Sequence, residues 1–163
     1  MSEAGMRMRI ALRYVTPEIW REFLVPSATT LKKLHGVIQN VMGWTNSHLH
    51  EFEVRGTCYA PRELDVLGKG VKDTSTVSLF DLGLEPGAKL MYTYDFGDGW
   101  EHDVTVLACD RPVHAPECLD GAGACPPEDC GGPPGYASIA TSHSTDDPAK
   151  FDVAEVNALL HRP

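Results

Sequence analysis

The sequence has no apolar run approaching the ~20 residues a helix needs to cross a bilayer. Its first residues set Arg7 and Arg9 in an alternating pattern and lack the apolar block of a secretory signal. Both absences predict a cytoplasmic protein that does not engage a membrane. Basic residues are scarce as well: 14 Lys and Arg stand against 23 Asp and Glu, a formal net charge of -9. Nonspecific affinity for nucleic acid comes mainly from clustered Lys and Arg, so a surface that neutralises many phosphates is not expected. The candidate basic patch is Arg7, Arg9 and Arg13 with Lys32 and Lys33, and a solvated face is its simpler account.

Several motifs are also missing. No Ser or Cys sits in a nucleophile elbow, and no His has an orienting partner at a readable spacing. Gly68-Lys69-Gly70 lacks the rest of a phosphate-cradling loop. The five cysteines are odd in number and form no C-x-x-C pair, which argues against a disulfide framework and weakens a zinc-ribbon reading. Reduced thiols are expected, with metal ligation by Cys118, Cys125 and Cys130 as the sharper option and His102 or His114 as fourth ligand. Zinc is the cofactor such a set would take. The competing reading makes Cys125 and Cys130 small buried residues that pack their loop.

What is present describes a globular chain. At 163 residues, with 42% apolar and 23% charged residues, one domain over 1–163 is expected, large enough to bury a core without staples. Met8, Ile10, Leu12 and Tyr14 alternate with polar residues and predict a strand over about Arg7 to Val15. Ile19 to Val25 returns as its hairpin partner. Thr29 or Thr30 can cap a helix carrying Leu31, Leu34, Ile38 and Val41, with Gly43 placed to stop it. A strand follows over His48 to Val54, with His48, His50, Phe52 and Val54 on one face. Gly56 to Thr76 reads as irregular with one short strand, and Leu79 to Gly87 as a helical turn. Leu90 to Phe96 and Trp100 to Leu107 form a hairpin around Gly97-Asp98-Gly99. From Pro112 to Gly135 proline and glycine dominate and the chain reads as loop; Asp152-Val153-Ala154-Glu155 then resembles a capping box opening a final helix over Phe151 to Leu160. The order predicts an α+β fold with a mixed, mainly antiparallel sheet, one covering helix and a β-grasp-like order of elements. The α+β core covers 7–108, and the Cys/Pro/Gly-rich loop and C-terminal helix of 109–163 pack on it.

The densest chemistry lies in Tyr94-Asp95-Phe96-Gly97-Asp98-Gly99-Trp100-Glu101-His102-Asp103-Val104. Together with Trp44 to Phe52 it yields the candidate binding surface: Trp44, His48, His50, Asp95, Asp98, Trp100, Glu101 and His102. Imidazoles and carboxylates of this kind suit a divalent metal; equally, they can close a hydrogen-bond network that orders the turn. Tyr92, Tyr94 and Phe96 are expected to pack under the first helix while Asp95 faces out.

Five ordered blocks carry a resemblance: Pro17-Glu18-Ile19-Trp20-Arg21; Leu34-His35-Gly36-Val37-Ile38-Gln39 running into Met42-Gly43-Trp44; Ser47-His48-Leu49-His50-Glu51-Phe52; Tyr94 to His102; and Cys125-Pro126-Pro127-Glu128-Asp129-Cys130 continuing to Tyr136. From Ile10 to about Leu160 the chain resembles the plasmid pRiA4b ORF-3-like family. The resemblance implies an origin among mobile elements and chromosomes and no defined reaction; some members carry resolvase or repressor labels. A serine recombinase needs a nucleophilic Ser within an arginine cluster and a basic DNA-binding helix pair, and this sequence has neither. The stretch from Tyr136 to Phe151 is shorter than the resemblance leads one to expect.

The expected function is a binding or interaction module whose partner is a protein or a small polar ligand, with nucleic acid disfavoured by charge. One alternative is a metal-dependent hydrolase or nuclease in which His48, His50, Asp98 and His102 hold an ion that activates water. A second is a DNA-associated accessory protein of mobile elements. Each site-based reading requires distant blocks to meet on one patch.

Overall fold

Strand-forming alternation organises one eight-stranded sheet in the computed structural model, which describes residues 4–61, 70–142 and 151–162. The strands are β1 (Met6–Leu12), β2 (Trp20–Val25), β3 (His50–Val54), β4 (Thr57–Ala60), β5 (Lys72–Asp73), β6 (Lys89–Tyr94), β7 (Trp100–Ala108) and β8 (Glu117–Ala122). Their order is β5-β4-β3-β6-β7-β1-β2-β8, and only the β4–β5 pair is parallel. The helices are α1 (Leu31–Met42), α2 (Gly132–Ser142) and α3 (Val153–Leu160). The fold is thus α+β with a mixed, mainly antiparallel sheet, as the pattern predicts. No helix among the described residues is long and apolar enough to cross a membrane.

The two faces of the sheet differ in chemistry. Met8, Ile10, Tyr92, Trp100, His102 and Val104 point inward and are fully buried, packed against Leu31, Leu34, Ile38 and Val41 of α1. Burial of this kind contributes about 25 cal/mol per Å2 of apolar surface removed from water. The outer face carries cross-strand ion pairs: Arg7 with Glu22, Arg9 with Glu18, and Arg13 with Asp103 and Glu101. The three arginines of the candidate basic patch therefore all have acidic partners, which leaves Lys32 and Lys33 as its remaining cations.

Helix α1 follows its signals closely. Thr30 caps it by accepting from the Lys33 N–H, and Gly43 ends it at φ 109°, donating its N–H to the Gln39 carbonyl. Where loop was expected after Pro112, the structure has β8 and α2. β8 is an edge strand held by pairing to β2, which overrides the poor strand propensity of Asp120 and Gly121. Helix α2 opens with Gly132-Pro133-Pro134, and prolines are tolerated in a first turn because those N–H groups have no helical partner anyway. The region expected to hold one short strand contains β4 and β5; residues 62–69 lie outside the described residues, as do residues 143–150 of the shortened stretch.

One buried cation joins three of these elements. Arg21 is 1% exposed and faces inward, opposite Ile10 in β1 and Gly121 in β8. Its guanidinium donates to the carbonyls of Val41 (2.6 Å) and Met42 (3.3 Å) at the end of α1, Trp20 (2.8 Å), and Ala122 (3.0 Å) and Gly123 (2.8 Å) at the end of β8. The Phe151 ring stacks on it at 3.9 Å. The α1 carbonyls are among those a helix C-terminus leaves unpaired, and the positive charge sits at the negative end of the helix dipole. Burial lowers the Arg21 pKa to about 10, which leaves it charged at neutral pH. Arg21→Met should lower stability by about 3 kcal/mol or more in urea denaturation, because several buried carbonyls lose their donor. A loss under about 1 kcal/mol would contradict this role.

Candidate functional site

Beyond Gly43 the chain crosses the inner aromatic row. Trp44 packs on Trp100 and Tyr94, with ring centroids 5.2 and 5.3 Å away, and donates its indole N–H to His102 Nε2 at 3.2 Å. His102 Nδ1 in turn donates to the Tyr92 carbonyl at 3.0 Å, so the imidazole is neutral with both nitrogens engaged. Burial lowers its pKa to about 4. His102 and Trp100, expected on a binding surface, are core residues, and Trp44 is 6% exposed.

A second buried network lies between α1 and β6. The Asn46 N–H donates to Gln39 Oε1 (2.7 Å), Gln39 Nε2 to Tyr92 Oη (2.8 Å), Tyr92 Oη to His35 Nδ1 (2.7 Å), and His35 Nε2 to Asn46 Oδ1 (2.8 Å). These four bonds close a ring and fix the direction of each proton. His50 stacks on His35 with centroids 3.5 Å apart and rings nearly parallel. Burial, then the neighbouring His35, lowers the His50 pKa to about 3, and burial lowers that of His35 too. Helical periodicity alone misses His35 and Gln39, because a polar side chain in an apolar stripe is legible only once its partners are known.

The exposed chemistry gathers elsewhere. Asp95 ends the strand alternation in the left-handed region, φ 62°, which turns its own side chain inward and leaves Phe96 48% exposed, the reverse of the expected orientations. Its Oδ1 accepts from the N–H groups of Gly97 (3.0 Å) and Asp98 (3.3 Å). Its Oδ2 lies 3.5 Å from His48 Nε2. His48 precedes β3 rather than opening it, and the same nitrogen lies 2.7 Å from Asp129 Oδ1 and 3.7 Å from Glu128 Oε1. Glu128 Oε2 is anchored by the Thr45 N–H (2.9 Å), the Thr45 hydroxyl (3.1 Å) and Tyr94 Oη (3.0 Å).

The loop that delivers Glu128 and Asp129 is seated on the hairpin turn. Gly131 donates to Asp98 Oδ2 at 3.2 Å, and Gly132, at φ 70°, lies so close to the Asp98 carbonyl that a Cβ there would collide with it. Asp98 is thus an anchor for this loop. Glu101 faces the other side of the sheet beside Arg13. Among the described residues the three-ligand cluster that gathers is His48, Asp95 and Asp129. Cys118, Cys125, Cys130 and His102 do not form such a cluster: Cys118 Sγ lies 3.8 Å from the Glu22 and Asp120 carbonyls, and both His102 nitrogens are occupied. Glu128 and Asp129 are not among the candidates that the sequence pattern yields; two acids in a glycine-flanked loop without Lys or Arg are the signal that marks them.

A family model described as plasmid pRiA4b ORF-3-like protein matches residues 4–162. The chain belongs to this family. An uncharacterised protein of Sinorhizobium fredii, y4hQ, is 40% identical over 158 residues, covering 95% of this chain and 80% of its own. The crystal structure of MM3350 from Methanosarcina mazei Go1, titled a protein of unknown function, superposes with a TM-score of 0.75 at 29% identity, over 93% of this chain and 96% of that one. The pRiA4b ORF-3-like fold is therefore shared at 29% identity, and neither relative's name states a reaction.

The three buried imidazoles make a pH prediction. Their folded pKa values lie below the ordinary 6.5, so the unfolded chain takes up protons that the native state refuses. Stability from this source is fully present above about pH 7 and falls as pH drops from about 6.5 toward 4, by up to ~1.4 kcal/mol per pH unit for each histidine. Urea midpoints compared at about pH 7.5 and 5 check this; equal midpoints would contradict it.

Proposed function

We propose that this protein is a binding module whose working face is the meeting point of Thr45–His48, the turn at Asp95–Asp98 and the loop at Glu128–Gly131. The observation that carries this reading is the cluster of His48, Asp95, Glu128 and Asp129, drawn from three separate segments. Asp95, Glu128 and Asp129 have no Lys or Arg within ion-pair distance among the described residues. A group of acids kept together without cationic partners costs stability, and such a cost is typical of positions retained for function.

A cleft of about 390 Å3 opens beside it, lined by Lys32, His35, Asn46, His48, His50 and Ser75 among others. Its size suits a small polar ligand. Leu49 and Phe96, each next in sequence to a cluster residue, are about half exposed, which suits a protein partner. The net charge of -9 and the paired arginines weigh against nucleic acid. A hydrolase built on His48, His50, Asp98 and His102 draws no support from their placement, since His50 and His102 are core residues and Asp98 anchors a loop.

Asp129→Asn separates a binding face from a structural cluster. Asp129 is 69% exposed at φ 57°, a conformation asparagine adopts readily, so the change carries no backbone penalty. The urea midpoint of the metal-free variant should equal or exceed that of the parent. A loss of more than about 1 kcal/mol would show that the cluster holds the fold together and would end this reading.

A further inference from the structure

We infer that His48 Nε2, Asp95 Oδ2 and Asp129 Oδ1 form a site for one divalent transition cation, of the class of manganese or zinc. The inference names the ligand of the face just described and rests on that reading.

The geometry is close to what such an ion needs. One ligand atom from each residue lies within 4.8 Å of the other two. Imidazole and carboxylate donors sit ~2.0–2.2 Å from zinc, so neighbouring donors around a tetrahedral ion are about 3.4 Å apart. The His48–Asp95 separation of 3.5 Å already matches, and the His48–Asp129 separation of 2.7 Å has to open by under ~1 Å. Asp129 rides on an exposed loop that can supply this movement.

Two further observations point to a cation rather than to a plain hydrogen-bonded cluster. His48 Nε2 is buried and makes no hydrogen bond, although carboxylate oxygens surround it; none lies in line with a ring N–H. The Asp95 side chain is only 9% exposed, and while its Oδ1 is held by the turn, its Oδ2 has the His48 nitrogen as its near polar neighbour. A buried ring nitrogen without a hydrogen-bond partner is costly, and an ion placed between it and these carboxylates removes that cost.

The surrounding groups behave as outer partners that orient metal ligands. Backbone N–H groups of Gly97 and Asp98 fix Asp95, and Glu128, 3.7 Å from the His48 nitrogen, is fixed by Thr45 and Tyr94. Three protein donors leave a coordination position for water or for a polar ligand in the cleft that His48 also lines.

Reduced, chelator-treated protein titrated with Mn2+ and read by electron paramagnetic resonance tests this. Mn2+ is the primary probe because imidazole and carboxylate accept it while thiolates compete poorly for it. One saturable Mn2+ per chain is expected, displaceable by Zn2+, with Asp95→Asn and Asp129→Asn each weakening it at least ~10-fold while circular dichroism remains that of the parent. Should Asp95→Asn unfold, Asp129→Asn alone decides. Absence of saturable Mn2+ and Zn2+ uptake, or uptake unchanged in Asp129→Asn, would overturn the inference. If no ion binds and Asp129→Asn is still neutral or stabilising, only the cation fails and the binding face stands.

Discussion

A single buried guanidinium sets the course of both chain segments that reach the cluster. Arg21 ties the last carbonyls of α1 to the end of β8, and the chain leaves the clamp at Gly43 on one side and Gly123 on the other. From Gly43 it runs through Trp44 to Thr45–His48; from Gly123 it runs to Glu128–Asp129. Both exits converge on Asp95, which the β6–β7 hairpin supplies from the sheet itself. Five carbonyl acceptors in place of a carboxylate let one cation satisfy two element ends, which a single ion pair would not do.

The histidines around the candidate site, His35, His48, His50 and His102, divide into two populations with different physical roles. His35, His50 and His102 lie inside, and burial keeps them neutral; His35 and His102 each hold two hydrogen bonds, joining the helix or Trp44 to β6. His48 stands outside that network, next to acids from two other segments. The inner set joins the helix and Trp44 to the sheet, and the outer one remains partly exposed. The Methanosarcina mazei structure shares the sheet and helix scaffold on which these residues stand.

Much of this was legible beforehand, and the failures have particular causes. The strands around Ile10, Phe23 and Tyr92 and the helix between Thr30 and Gly43 announced themselves through alternation, periodicity and caps, all local properties. β8 did not, because its stability comes from pairing with β2 and not from its own residues. His48 and Asp95, both expected on the binding surface, meet. His50 and His102, expected on the surface from residue type, are core, in keeping with their alternation with Phe52 and Val104. Asp95 and Phe96 exchanged their expected orientations because one left-handed residue shifts the phase of everything after it, a backbone choice that side-chain patterns do not encode.

Three distant segments bring His48, Asp95 and Asp129 together, and the proposed cation site depends on that meeting. A crystal grown with Mn2+ and measured at the manganese absorption edge addresses it directly. The anomalous map should contain one peak about 2.2 Å from His48 Nε2, Asp95 Oδ2 and Asp129 Oδ1; a map empty there, or with its peak beside Cys118 or Cys125, would contradict it.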